Sequence, residues 1–272
     1  MGNHESFSNN HNNYVTLYSI SNSDYMEWQA DLLDESFKRV GMPGTLYRLV
    51  SQDLDYPTRP LGTSNIAQII TTPSYAKLPT RIYTPMNKPG SLLEFLRQTD
   101  IPENTIMIFV DPDMIFTKQW LPQPKVGSVV GQRWKGYNIE YCKQTQYYCP
   151  QTEQEAIMYP FSIRLSDARK MAQNYYKFSA KQSEDWMVEM SALVAAILSV
   201  GLKIETYESI GLCNDWNNNN DERAPIIHYT QGVRDINGTE IWTKRRHLKG
   251  TKVPSSSLAT NRVDRIILEL LR

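Results

Sequence analysis

The segment Thr105–Val110 (TIMIFV) is an unbroken apolar run that stops at Asp111-Pro112-Asp113. A strand that is apolar at every position must be covered on both faces, which places it inside a sheet with helices on either side. The residues before it agree. Tyr14–Ile20 (YVTLYSI) has the β-branched and aromatic content of a strand, and Asp24–Val40 sets Tyr25, Trp28, Leu32 and Val40 at approximately helical spacing. Met42-Pro43-Gly44 ends that helix, and Thr45–Val50 reads as a second strand. Strand, helix, strand is the unit from which parallel sheets are built. The expected class is α/β, with a Rossmann-like, mainly parallel central sheet flanked by helices and a smaller C-terminal lobe.

Ser51–Pro89 is rich in loops, broken by Pro57, Pro60, Pro73, Pro79 and Pro85, with one short strand at Gln68–Thr71. Ser91–Gln98 reads as a short amphipathic helix. After the acidic pair, Gly127–Trp134 reads as a strand, Ser166–Lys177 as a helix capped by Ser166, and Ser183–Val200 as a longer helix capped by Ser183. Lys203–Glu208 and Pro225–Tyr229 follow as strands separated by the Asn-rich loop Asn214–Asp221, and Asn261–Arg272 reads as an amphipathic helix. Residues 1–13 form an Asn-rich polar tail, expected to be disordered although its first residues formally fit a myristoylation pattern. Residues 14–272 are expected to form one domain, with 14–120 as a nucleotide-binding half and 121–272 as the acceptor-side half that completes a metal site.

Twenty-nine basic residues balance 29 acidic ones, which removes the electrostatic argument for a nucleic-acid partner. No apolar run approaches the roughly 18 residues that span a bilayer, and the N-terminus has no apolar core of a secretory signal. A soluble, cytoplasmic protein without an integral membrane segment is expected. Cys142, Cys149 and Cys213 are an odd set without a CxxC pair, which points to free thiols in a reducing compartment.

Two carboxylates at the end of a buried strand are costly to desolvate unless something cationic meets them. Pro112 fixes φ between them, so Asp111 and Asp113 project from a stiff turn at the carboxyl end of a central strand, where open α/β sheets bind ligands. Hard oxygen ligands suit Mn²⁺ or Mg²⁺, with nucleotide phosphates completing the shell. His228, at the end of an apolar strand, is the third metal-ligand candidate, against the plainer reading of a core histidine. A basic segment with Arg234, Lys244, Arg245, Arg246, His247, Lys249 and Lys252 follows, either a solvated face or a loop that closes over a diphosphate. Arg81 and the stretch Tyr83–Gly90, with Asn87, Lys88 and Gly90, precede the helix beginning near Ser91; they read equally as a structural loop or as an anion-binding helix start that holds the nucleotide. Glu184 and Asp185 sit in a first helical turn, where acids stabilise the helix dipole whatever the function. The functional reading places Asp185 or Glu184 at the anomeric carbon of a sugar, Trp186 as a stacking platform and Glu189 one turn further on the same face.

The ordered set of Trp28-Gln29, Pro43-Gly44 with Arg48-Leu49, Asn87-Lys88-Pro89-Gly90, Asp111-Pro112-Asp113-Met114, Asp185-Trp186 with Glu189-Met190, and His228-Tyr229-Thr230 resembles the plant hydroxyproline O-arabinosyltransferases and the related peptidyl serine α-galactosyltransferases. The resemblance runs from about Tyr14 to Gly232. It implies a GT-A fold, a UDP-sugar donor, a divalent metal on Asp111, Asp113 and His228, and transfer with retention of anomeric configuration to a hydroxyl, which in that family belongs to a peptide side chain. The plant enzymes' N-terminal membrane anchor has no counterpart here, so their Golgi location and acceptor do not carry over. Two other readings share the scaffold: a nucleotidyl or phosphoryl transferase, and a non-catalytic carbohydrate- or peptide-binding domain.

Overall fold

In a computed structural model, residues 13–272 are described except 53–59, 138, 146–147, 151, 153–154, 182–186, 214–223, 231, 248–251 and 260–261. The tail, the Ser183 cap and the Asn-rich loop expected from the sequence lie outside the described residues, save Asn13.

Strand β1 (Tyr14–Ser21) is buried at all but its last position, as its apolar run requires. Helix α1 (Asp24–Arg39) begins where the Ser23 hydroxyl accepts the Met26 amide at 3.4 Å, which satisfies one of the free N–H groups of the first turn. The return into β2 (Thr45–Ser51) passes through Gly44 at φ +81°, where an added Cβ would lie 1.9 Å from the Tyr14 carbonyl oxygen. A residue with a side chain fits neither that backbone nor that gap. Then come β3 (Gln68–Thr72), α2 (Asn87–Gln98), β4 (Ile106–Phe109), β5 (Met114–Phe116), β6 (Ser128–Arg133), α3 (Ile139–Thr145), β7 (Ile157–Arg164), α4 (Leu165–Ser179), α5 (Val188–Ser199) and β8 (Lys203–Tyr207). The C-terminal part holds β9 (Gly211–Cys213), β10 (Ile226–His228), β11 (Val233–Arg234), β12 (Glu240–Trp242) and α6 (Arg262–Leu270).

Seven strands form the main sheet in the order β3-β2-β1-β4-β7-β6-β8. All neighbours run parallel except β7, which is antiparallel to β4 and β6. The α/β class with a mainly parallel, helix-flanked sheet is therefore as expected. A three-stranded sheet, β5-β10-β9, and the β11-β12 ribbon stand beside it. They share a second core, in which Trp28 and Leu32 of α1 meet Ile115, Ile227, Tyr229, Trp242 and Leu268.

Several expectations need correction. Strand β7 is not among the strands expected from the sequence, and it carries Pro160 in its middle, although proline cannot donate to a ladder. Its register answers that: Phe161 pairs with Gly131 and Met158 with Gln132, so Tyr159 and Pro160 fall in a bulge where no amide is missed. Helix α2 starts at Asn87 rather than near Ser91, following a short 3₁₀ turn at Thr84–Met86, so Lys88 belongs to its first turn. Helix α4 is not capped by the Ser166 hydroxyl; the amides of Leu165 and Ser166 donate instead to the carbonyls of Thr105 (2.9 Å) and Glu103 (3.1 Å). Helix α5 is described from Val188. Cys142 and Cys149, expected as free thiols, form a disulfide with 5.8 Å between their Cα atoms, so cysteine usage no longer argues for a reducing compartment. No helix among the described residues is long and apolar enough to cross a membrane.

Candidate active site

The parallel strands β1 and β4 end on one side of the sheet, and a cavity of about 400 Å³ opens there. Ser19–Ser21 form part of its floor, α1 contributes Tyr25, Met26 and Gln29, and Met158, Met187 and Met190 give it an apolar wall. Asn87 ties the start of α2 to this floor: its Nδ2 donates to Ser21 Oγ at 3.0 Å while its Oδ1 accepts the Tyr75 amide at 2.8 Å.

The acidic pair leaves β4 in a tight turn closed by the Met114 amide on the Asp111 carbonyl at 3.1 Å. Asp111 Oδ1 meets Lys88 Nζ at 2.6 Å. Asp113 is held from the other side. His228 Nε2 lies 3.1 Å from its Oδ1, and Lys244 Nζ donates to its Oδ2. Burial pushes the Asp113 carboxyl up, but His228 and Lys244 outweigh it and hold the group well below the usual carboxylate range. Lys88 shows the mirror case: burial works against its charge, yet Asp111 and Glu189 raise it above an ordinary lysine. Three carboxylates thus converge here, with two ammonium groups set among them.

One ligand atom from each of Asp111, Asp113 and His228 can be chosen so that all three lie within 4.8 Å of one another. Two carboxylate oxygens and one imidazole nitrogen, all at the edge of burial, match the hard donor set of Mn²⁺ or Mg²⁺ and leave positions for phosphate oxygens.

Glu189, at the start of α5, is 2% exposed. Its Oε1 accepts from the hydroxyls of Tyr159 (2.8 Å) and Tyr175, which lie 2.5 Å from each other, and its Oε2 is 3.5 Å from Lys88 Nζ. Burial raises its carboxyl above the ordinary value, with Lys88 pulling the other way. Burial likewise holds Tyr159 and Tyr175 well above the usual phenol range.

The structure thus gathers Asn87, Lys88, Asp111, Asp113, Glu189, His228 and Lys244 around one cavity. Arg81 and Gly90 are not in its wall. The Arg81 guanidinium stacks on the Tyr83 ring at 4.3 Å, and Gly90 is the close approach of α2 to the Tyr75 ring, 2.2 Å from where a Cβ would stand. Glu184, Asp185 and Trp186 lie outside the described residues. Tyr159 and Tyr175 carried no sequence signal, being two tyrosines among sixteen in apolar surroundings.

No protein-family model matches the chain. Over 110 residues, 39% of the chain, it is 30% identical to the peptidyl serine alpha-galactosyltransferase of Arabidopsis thaliana, and it spans 14% of that protein. It is 25% identical over 296 residues to the hydroxyproline O-arabinosyltransferase PLENTY of Lotus japonicus, a match covering 95% of the chain and 78% of that protein. Its fold is similar to the apo structure of the WbbM bifunctional glycosyltransferase, with a TM-score of 0.50 and 9% identity over 80% of this chain and 46% of that one.

Proposed function

We propose that this chain is a metal-dependent, retaining glycosyltransferase that moves a sugar from a UDP-sugar to a hydroxyl acceptor, such as a serine or hydroxyproline side chain of a peptide. The observation that carries the reading is the Asp111, Asp113 and His228 group at the carboxyl end of a parallel sheet, with Lys88 and Lys244 beside it. The similarity in sequence to two proteins named as glycosyltransferases supports it.

In this reading Asp111, Asp113 and His228 would hold Mn²⁺ or Mg²⁺, and the chemistry such an ion would supply there is Lewis-acid neutralisation of a diphosphate leaving group. The chain's own groups do the rest. Lys88 and Lys244, each largely buried and set against one of the aspartates, are the ammonium groups that would meet the charge of a diphosphate. Residues 14–120 bring the floor and the acidic pair, while 121–272 bring His228, Lys244 and the methionine wall. Asp185 or Glu184 is assigned to the anomeric carbon, Trp186 to sugar stacking, and the leaving phosphate oxygen takes the acceptor proton, so no strong protein base is needed.

The test is calorimetric titration of UDP with and without Mn²⁺, followed by a panel of UDP-sugars scored for UDP release. Binding of UDP that requires the metal, with release from one donor, is expected. Sugar binding indifferent to metal would replace this reading with a carbohydrate-binding domain.

A further inference from the structure

Glu189 is a carboxylate in the wall of the cavity, yet its geometry is that of a support. One oxygen receives two phenol hydroxyls, and the other faces Lys88. Its own amide donates to Tyr83 Oη at 3.0 Å, so the backbone at the head of α5 is tied as well. A side chain anchored at the amide and at both oxygens, and only 2% exposed, does not swing out to meet a sugar.

We infer that Glu189, held by Tyr159 and Tyr175, is a positioning residue that aims the Lys88 ammonium at the anionic part of the donor. Lysine loses about 2 kcal/mol of side-chain freedom when fixed, so an ammonium at a cavity wall wanders unless several partners hold it. Lys88 has three: Asp111 at 2.6 Å, Glu189 at 3.5 Å, and the face of Tyr159 with its centroid 4.5 Å from Nζ. Asp111 is also one of the three metal-ligand candidates. Glu189 and Tyr159 are not, so they remain as Lys88's partners when Asp111 is shared. Tyr159 has both tasks at once, since its ring carries the ammonium and its hydroxyl fixes the carboxylate. Tyr159 lies where the register of β6 and β7 shifts, and its hydroxyl reaches Glu189 at the head of α5.

The inference rests on the proposed donor, and a double-mutant cycle read by UDP titration in Mn²⁺ separates the two. Glu189→Gln and Lys88→Met are each expected to weaken UDP binding by about tenfold, the loss of one charge-assisted contact. The double variant should be no weaker than Lys88→Met within about twofold, because Glu189 acts through Lys88. With donor turnover, Glu189→Gln should raise KM while kcat changes less than about threefold. Tyr159→Phe and Tyr175→Phe keep the rings and the fold, and should show smaller losses that vanish in the Lys88→Met background. Additive losses near a hundredfold, or a collapse of kcat in Glu189→Gln with UDP affinity intact, would overturn the positioning role. If the parent protein binds no UDP with Mn²⁺, the proposed function falls and this inference with it.

Discussion

Asp113 and His228 face each other across the short antiparallel ladder of β5 and β10. The Tyr229 amide donates to the Asp113 carbonyl at 3.1 Å, Met114 pairs with His228, and the two side chains meet at 3.1 Å. The distance between Asp113 and His228 is therefore fixed where the Asp111–Asp113 turn enters the β5–β10 ladder, which is how a site keeps its geometry before a ligand arrives.

Asp113→Ala removes one candidate ligand and leaves Lys244 facing the cavity without its carboxylate. The Mn²⁺-dependent part of UDP affinity should fall by at least about 100-fold, read by calorimetry, while the thermal transition of the protein stays cooperative. Unchanged affinity would remove the metal from the mechanism.

Alkaline pH tests the buried phenols. Burial holds Tyr18, Tyr159, Tyr175 and Tyr229 well above the usual value, whereas in the unfolded chain they titrate near pH 10. Above about pH 10 the folded state binds more protons than the unfolded one, so stability is retained below that pH and declines as pH rises through it. The decline should reach about 1.4 kcal/mol per pH unit for each such tyrosine, measured from guanidinium midpoints between about pH 9 and 11. Tyr175→Phe should flatten the slope by one tyrosine's share.

Arg48 is 1% exposed and depends on Asp34 at 2.5 Å, with Asp31 at 3.0 Å as a second, half-exposed partner. Asp34 also accepts from Tyr18 Oη at 2.5 Å and Ser64 Oγ at 2.6 Å. Asp34→Ala leaves a guanidinium and two hydroxyls without their shared acceptor, and should cost about 3–5 kcal/mol in chemical denaturation. This network lies away from the cavity wall, so UDP affinity of the folded fraction should not move.

Gly44→Ala forces a side chain into a positive-φ position already filled by the Tyr14 carbonyl. A loss of about 1–3 kcal/mol is expected by thermal melting, with Gly127→Ala as the comparison, since there the same strain meets open space.

How much of this the sequence disclosed depended on whether a residue's role is local. The run Thr105–Val110 declares a buried strand through its own composition, and Asp111, Asp113 and His228 stand out because charge at the end of such strands needs a reason. Lys88 and Lys244 were visible as cations near those ends. What stayed hidden is relational. Nothing in Tyr159 or Tyr175 announces that their hydroxyls converge on Glu189, and the pairing of Cys142 with Cys149 is a matter of how α3 and the following loop are laid down. Strand β7 stayed hidden as well, since its pairing with β4 and β6 joins distant parts of the chain. Arg81 and Gly90 looked like ligand contacts only until the ring beneath each was in place.

The separation of β5 from β10 along the chain has a consequence for synthesis. A nascent chain that has emerged through β8 already contains all seven strands of the large sheet and both aspartates, but neither His228 nor Lys244. Both partners of the Asp113 carboxylate, His228 and Lys244, thus come from the part of the chain made after that sheet. The acid corner is completed by the pairing of β5 with β10, a contact between residues more than a hundred positions apart, and pairings of such separation are slow to form.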